Sequence, residues 1–144
     1  MNTGNKNLKI LIVEDEPLIG MEIESTVEQL GYEVIRPVAE LADAIVLATD
    51  CTIGGAILDI NIRGGKSYPV VEMLLNRDVP VLILTGYGAQ TLPERLQEQM
   101  RLPKPFTSDR LEEEINKLCA RVSRPGQLRN VTWTDGAYTE FPSG

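Results

Sequence analysis

Apolar residues along this chain follow two alternating rhythms: short, almost unbroken runs, and longer stretches in which they recur every third or fourth position. Leu8 to Val13 is apolar but for Lys9, the pattern of a strand covered on both faces. It ends in Glu14-Asp15-Glu16. Pro17 then suits a first helical position, and Ile19, Ile23, Val27 and Leu30 keep helical spacing until Gly31 supplies a stop. Glu33 to Val38 reads as a second strand, with Pro37 pointing to a sheet edge. Leu41, Ala44, Ile45 and Ala48 form the next helical stripe, ending near Asp50. Gly55-Ala56-Ile57-Leu58-Asp59-Ile60-Asn61 is a third strand that carries one carboxylate to its end. Arg63-Gly64-Gly65 reads as a flexible loop, and Tyr68 to Leu75 as a third helix with Pro69 in its first turn. Val79 to Leu84 is a fourth strand opening into Thr85-Gly86-Tyr87-Gly88. Thr91 with Glu94 resembles a capping box for a short helix reaching about Gln99. Met100 to Pro103 is a brief fifth strand. After Lys104-Pro105-Phe106, Thr107 or Ser108 caps a final helix carrying Leu111, Ile115, Leu118, Cys119 and Val122.

Five alternations of strand and helix predict an α/β fold, a parallel sheet with helices on both faces joined by right-handed crossovers. In such a sheet the loops after successive strands share one rim, where open α/β sheets bind ligands. Glu14, Asp15, Asp59, Thr85 and Lys104 all fall just after strands one, three, four and five.

Composition narrows the chemistry at that rim. The 144 residues suit one domain, with no room for a second folded output domain. Lys and Arg total 14 against 21 Asp and Glu, a net charge of -7 without basic clusters, which argues against nucleic acid. Histidine is absent, excluding His triads, His metal sites and a phosphohistidine on this chain. The longest purely apolar stretch is Val79 to Leu84, so no membrane span is expected, and the polar start lacks a signal-peptide core. Cys51 and Cys119 lie far apart without metal-ligand spacing, as suits reduced thiols in a cytoplasmic protein.

Three carboxylates on one rim either raise a pKa or hold a divalent cation. Oxygen-only donors favour Mg²⁺, or Mn²⁺, over zinc. A cation bridging Asp15 and Asp59, with the Asn61 backbone carbonyl, leaves positions for water and a phosphoryl oxygen. Lys104 and the Thr85 hydroxyl then hold the remaining phosphoryl oxygens, with Asp59 as the nucleophile of an aspartyl phosphate.

Glu14-Asp15, Leu58-Asp59, Thr85-Gly86 and Lys104-Pro105-Phe106, in this order, resemble the receiver domain of two-component response regulators over roughly residues 7 to 122. The resemblance implies a flavodoxin-like, doubly wound five-stranded sheet of order 2-1-3-4-5 with five helices, and Mg²⁺ dependence. It also implies phosphoryl transfer to Asp59 from a histidine kinase or histidine phosphotransferase. By the family pattern Glu14 and Asp15 are the acidic pair, Glu14 supporting the metal ligands from behind or through water. Thr85 is the switch hydroxyl, Lys104 pairs with the phosphate, and the Lys104-Pro105 peptide is cis. The output surface is the fourth helix, fifth strand and fifth helix, facing a downstream protein partner. Two departures stand out. Arg101 occupies a position that is usually aromatic, and Ile60-Asn61-Ile62-Arg63-Gly64-Gly65 replaces the common Met-Pro and Asp-Gly loop, its glycines implying a mobile lip. Thr85-Gly86-Tyr87 is partly similar to a subgroup partnered by kinases of the HWE or HisKA-2 type. Tyr87 is the candidate to take over the coupling role that Arg101 cannot fill.

The reading is therefore a stand-alone receiver at 7–122, between a tail at 1–6 and an extension at 123–144, acting by protein contact or as a phosphate shuttle in a phosphorelay. Its rivals are a Mg²⁺-dependent phosphohydrolase, disfavoured because Asn61 stands where such enzymes place a second acid, and a degenerate receiver used only for binding. In the extension, Val131 to Thr139 alternates around Asp135-Gly136 as a hairpin does, packing on its own domain or on a second subunit of a homodimer.

Overall fold

A computed structural model of the protein describes residues 8–50, 52–86 and 92–122. Its main sheet is built from β1 (Lys9–Val13), β2 (Glu33–Val38), β3 (Ile53–Asp59), β6 (Val81–Thr85) and β7 (Met100–Pro103). All neighbours are parallel, in the order β2-β1-β3-β6-β7, which is the flavodoxin-like 2-1-3-4-5 order that the resemblance implies. Pro37 lies on the edge strand β2, where its missing N–H disturbs no central ladder.

Alternation along each strand divides the core into two layers. Ile10, Ile12, Ile57, Leu82 and Leu84 meet α1 (Pro17–Gln29) and α4 (Ser108–Ala120) through Ile23, Val27, Leu111, Ile115 and Leu118. Leu11, Val13, Ala56, Leu58, Val81 and Ile83 face the other way, onto α2 (Leu41–Leu47) and α3 (Tyr68–Asn76) through Ala44, Val70, Val71 and Leu74. Central strands buried on both sides are why the sequence shows unbroken apolar runs there rather than alternation. Gly31, with φ +95°, closes α1 as the sequence suggests, and Thr107 caps α4, its side chain accepting from the Arg110 amide.

Two local expectations need correction. The helix expected from Thr91 to Gln99 is, among the described residues, one 3₁₀ turn at Glu94–Leu96. Pro93 precedes it in extended conformation and offers no N–H, so no α-helical turn propagates through it. The described chain thus has four α-helices and one 3₁₀ turn, not five α-helices. Thr91, Tyr87, Cys51 and the hairpin proposed at Val131 to Thr139 lie outside the described residues.

The loop after Asp59 is also more ordered than its glycines suggest. Asn61–Ile62 (β4) and Gly65–Lys66 (β5) form a two-stranded antiparallel ribbon. Its tip is tied to the β2–α2 connection, since Arg63 N donates to Ala39 O at 3.3 Å and Leu41 N donates to Arg63 O at 2.8 Å. Gly64 has φ +94°, and a Cβ there would lie 3.3 Å from Leu41 Cβ. Glycine at this position permits a docked turn rather than a free lip.

Candidate functional site

Register brings the carboxyl ends of the central strands to one rim. Val13 pairs with Leu58, Asp59 with Leu84, and Thr85 with Pro103, so the residues that follow these strands meet above the sheet. Glu14 is drawn inward by its amide bond to Val38 O at 2.9 Å and is only 3% exposed. Asp59 is 7% exposed, and Asp15 is half-buried beside them. One carboxylate oxygen from each of the three lies within 4.8 Å of the others.

Lys104 holds this negative cluster together. Its Nζ donates to Asp59 Oδ2 at 2.9 Å and to Glu14 Oε2 at 3.1 Å, and lies 3.0 Å from Glu14 Oε1. The backbone at Lys104 is fixed by a 2.7 Å bond from its N–H to Thr85 O and is followed by a cis peptide to Pro105, as the resemblance implies. The remaining Asp59 oxygen, Oδ1, accepts from Asn61 N at 3.3 Å, while Glu16 N donates to Glu14 Oε2 at 3.1 Å.

The cluster's electrostatics follow from burial. Desolvation pushes the Glu14 carboxyl up to about 7, helped by the Asp59 charge and only partly offset by Lys104 and the Glu16 amide. Burial works against the Lys104 ammonium too, but bonds to Asp59 and Glu14 outweigh it and hold that group above its usual range. Glu14 Oε1 is buried and accepts no well-aligned hydrogen bond among the described residues, its ion-pair partner being Lys104 Nζ at 3.0 Å. Three carboxylates with oxygens within 4.8 Å of one another, two of them, Asp15 and Asp59, on the wall of an open cavity of about 460 Å³, fit a hard, oxygen-seeking cation. Asp15, Asp59, Asn61, Gly86, Lys104 and Phe106 all contribute to the wall of that cavity.

Comparison with known proteins decides the family. A model of the response regulator receiver domain matches residues 10–116. The chain belongs to the response regulator receiver family. Its members are phosphorylation-controlled switches of two-component signalling that bind Mg²⁺ at an acidic pocket. Phyllosphere-induced regulator PhyR of Methylorubrum extorquens is 38% identical over 102 residues, covering 68% of this chain and 38% of that protein. The chain thus matches well under half the length of that relative. The solution structure of SdrG from Sphingomonas melonis Fr1 is 40% identical with a TM-score of 0.68, covering 81% of this chain and 96% of that one. The receiver domain of sensor histidine kinase PA1611 from Pseudomonas aeruginosa PAO1, solved with magnesium in its active site cleft, is 27% identical with a TM-score of 0.66, covering 79% and 98%.

Within this receiver, Glu14, Asp15, Asp59, Asn61 and Lys104 come together as the sequence suggests. Thr85 ends β6 half-buried at the same rim and joins the cluster through its carbonyl bond with Lys104. Arg101 does not join it. The side chain is exposed and its guanidinium donates to Gln97 O at 2.5 Å, at the end of the 3₁₀ turn. Among the described residues, no helix is long and apolar enough to cross a membrane.

Sequence reasoning missed Ser67. It precedes α3, where a serine reads as an ordinary helix cap, but its side chain makes no cap hydrogen bond. Instead Oγ, fully buried, donates to the Asp59 carbonyl at 2.6 Å. A serine preceding a Pro-containing helix start was the available signal, and only the tertiary fold redirects its hydroxyl.

Proposed function

We propose that Asp59 is the phosphoacceptor of this receiver and that Mg²⁺, or Mn²⁺, is held by Asp15, Asp59 and the Asn61 carbonyl, with Glu14 supporting these ligands from behind or through water. The observation that carries the reading is the Lys104 ammonium bridging two buried carboxylates, 2.9 Å from Asp59 and 3.1 Å from Glu14, beside Asp15. A bound divalent cation supplies charge neutralisation for an incoming phosphoryl group. An Asp59 carboxylate oxygen attacks phosphorus while the bond between phosphorus and the donor breaks. The bonding pair leaves with the donor atom, which takes a proton from solvent when it is a histidine nitrogen. Lys104, already paired with Asp59 Oδ2, transfers its hydrogen bond to a phosphoryl oxygen, and the Thr85 hydroxyl takes another.

The donor is a histidine kinase or histidine phosphotransferase, of HWE or HisKA-2 type on the strength of Thr85-Gly86-Tyr87. Such donors place the reaction in the cytoplasm. Output runs to a protein partner across β7, α4 and the segment before them, with Tyr87 in the coupling role, and the chain turns over no external substrate. The test is incubation with a small acyl phosphate. Labelling is expected to require Mg²⁺ and to vanish in Asp59→Asn. Labelling that survives that substitution overturns the assignment, and sustained turnover of a phosphomonoester overturns the non-enzymatic reading.

A further inference from the structure

The turn that carries Asp59 into the cavity is held from behind by one hydroxyl. Ser67 is fully buried, and every polar group it owns points at the site or its support. Its Oγ donates to Asp59 O at 2.6 Å, its N–H donates to Ile60 O at 2.8 Å, and its carbonyl accepts from the Val70 and Val71 amides, at 2.9 and 3.1 Å, in the first turn of α3. The segment from Asp59 to Asn61 is thereby fixed to a helix seated in the core. Within that segment Asn61 N donates to Asp59 Oδ1 at 3.3 Å, and Asn61 shares a cavity wall with Asp15 and Asp59. Lys66, next to Ser67, donates to Asn61 Oδ1 and ties the opposite strand of the ribbon to the same residue.

We infer that Ser67 is a positioning residue for the cation site, holding the Asp59–Asn61 turn so that the Asp59 carboxylate and the Asn61 carbonyl are presented together. This rests on the metal and phosphoacceptor reading above. Pre-organisation of this kind matters for a small, hard cation that demands near-ideal octahedral geometry. A turn free to rotate by a few tenths of an ångström still folds, but offers its oxygens at the wrong separation. The ribbon tip is latched independently by Arg63 to Ala39 and Leu41, so loss of the Ser67 hydroxyl loosens the base of the ribbon without releasing its end.

The experiment compares Mg²⁺ affinity, thermal stability and acyl phosphate labelling in the full chain and in Ser67→Ala and Ser67→Thr. Residues that support metal ligands from behind typically change affinity by about 10- to 100-fold when removed. Ser67→Ala is expected to bind Mg²⁺ about tenfold more weakly and to regain the parent labelling rate at saturating Mg²⁺. Ser67→Thr keeps the hydroxyl but adds a buried methyl group. It is expected to melt at lower temperature while keeping Mg²⁺ affinity within about twofold of the parent chain, a split that a purely structural serine does not produce. Equal weakening in both variants, or unchanged affinity in Ser67→Ala, overturns the inference. Absence of Mg²⁺ binding by the unsubstituted chain, or labelling of Asp59→Asn, removes the underlying reading instead, and the inference with it.

Discussion

The two ends of Lys104 look onto regions built in opposite ways. On one side, toward β1 and β3, Glu14 and Asp59 are buried, each bonded to the lysine and to a backbone amide, and Asp59 is braced from behind by Ser67. On the other, toward β6 and β7, Thr85 is half-buried, a Cβ at Gly86 would meet nothing within 4 Å among the described residues, and Arg101 lies exposed with a carbonyl for a partner. The neighbouring contact between Arg95 and Glu72 is equally exposed on its arginine side. Buried charges must be over-determined to exist at all, because each unpaired ion is heavily penalised. Exposed groups can change partners at little cost. The acidic side is therefore built for fixed chemistry and the β6–β7 side for change.

Removing the lysine should disturb the acidic side most. Its side chain is 12% exposed, against 0% for Glu14 and 9% for Asp59, so Lys104→Ala leaves two desolvated carboxylates without their cation. A loss of about 3 kcal/mol is expected in urea unfolding at pH 8 without metal. The loss should shrink at pH 5, where Glu14 is protonated in the fold. A loss below about 0.5 kcal/mol at pH 8 would place the cluster with ordinary surface ion pairs.

Acidity sharpens the contrast next. The Glu14 carboxyl sits at about 7 in the fold against an ordinary 4.5, so its contribution to stability is fully present below pH 4.5 and is lost as pH rises through 7. The Lys104 pKa is raised as well, so its contribution persists through neutral pH and is lost only as pH climbs through its folded value, above the ordinary 10.5. Metal-free Glu14→Gln should therefore show a flatter stability profile between pH 4.5 and 7 than the parent chain. An unchanged profile would mean that Glu14 is solvated.

Smaller effects belong to the other side. Thr85→Ala should remain labelled at Asp59, while the amide shifts that phosphorylation produces along β7 shrink, as read by two-dimensional NMR. Full shifts in that variant would remove the hydroxyl from the coupling route. Arg101→Ala should change unfolding free energy by no more than about 0.5 kcal/mol and leave the labelling rate unchanged. A large loss would mean that β7 is as tightly held as β3.

Much of the acidic side was legible because its residues follow apolar runs whose ends the sheet must align. Asp59 after Ile57-Leu58 and Lys104 after Met100 to Pro103 fall on one rim for reasons of topology alone. The edge place of Pro37 was legible from the chain itself, whereas strand order came only with the resemblance to receiver domains. What escaped depends on contacts remote in sequence. Ser67 carries a hydroxyl that could have capped its own helix, and only folding sends it to the Asp59 carbonyl eight residues back. Gly64 and Gly65 read as flexibility, but the docking of Arg63 against Ala39 and Leu41 turns their segment into a ribbon. Thr91 and Glu94 match a cap by spacing, whereas extended Pro93 between them leaves a single 3₁₀ turn.

The most direct measurement is the position of the label. After reaction with an acyl phosphate and Mg²⁺, borohydride trapping of the acyl phosphate followed by peptide mass spectrometry should find homoserine at position 59 and at no other carboxylate. Homoserine at Asp15, the longer amino alcohol of a reduced glutamyl phosphate at Glu14, or a label that resists borohydride altogether would contradict the assignment of Asp59 as the nucleophile that Lys104 and Ser67 hold in place.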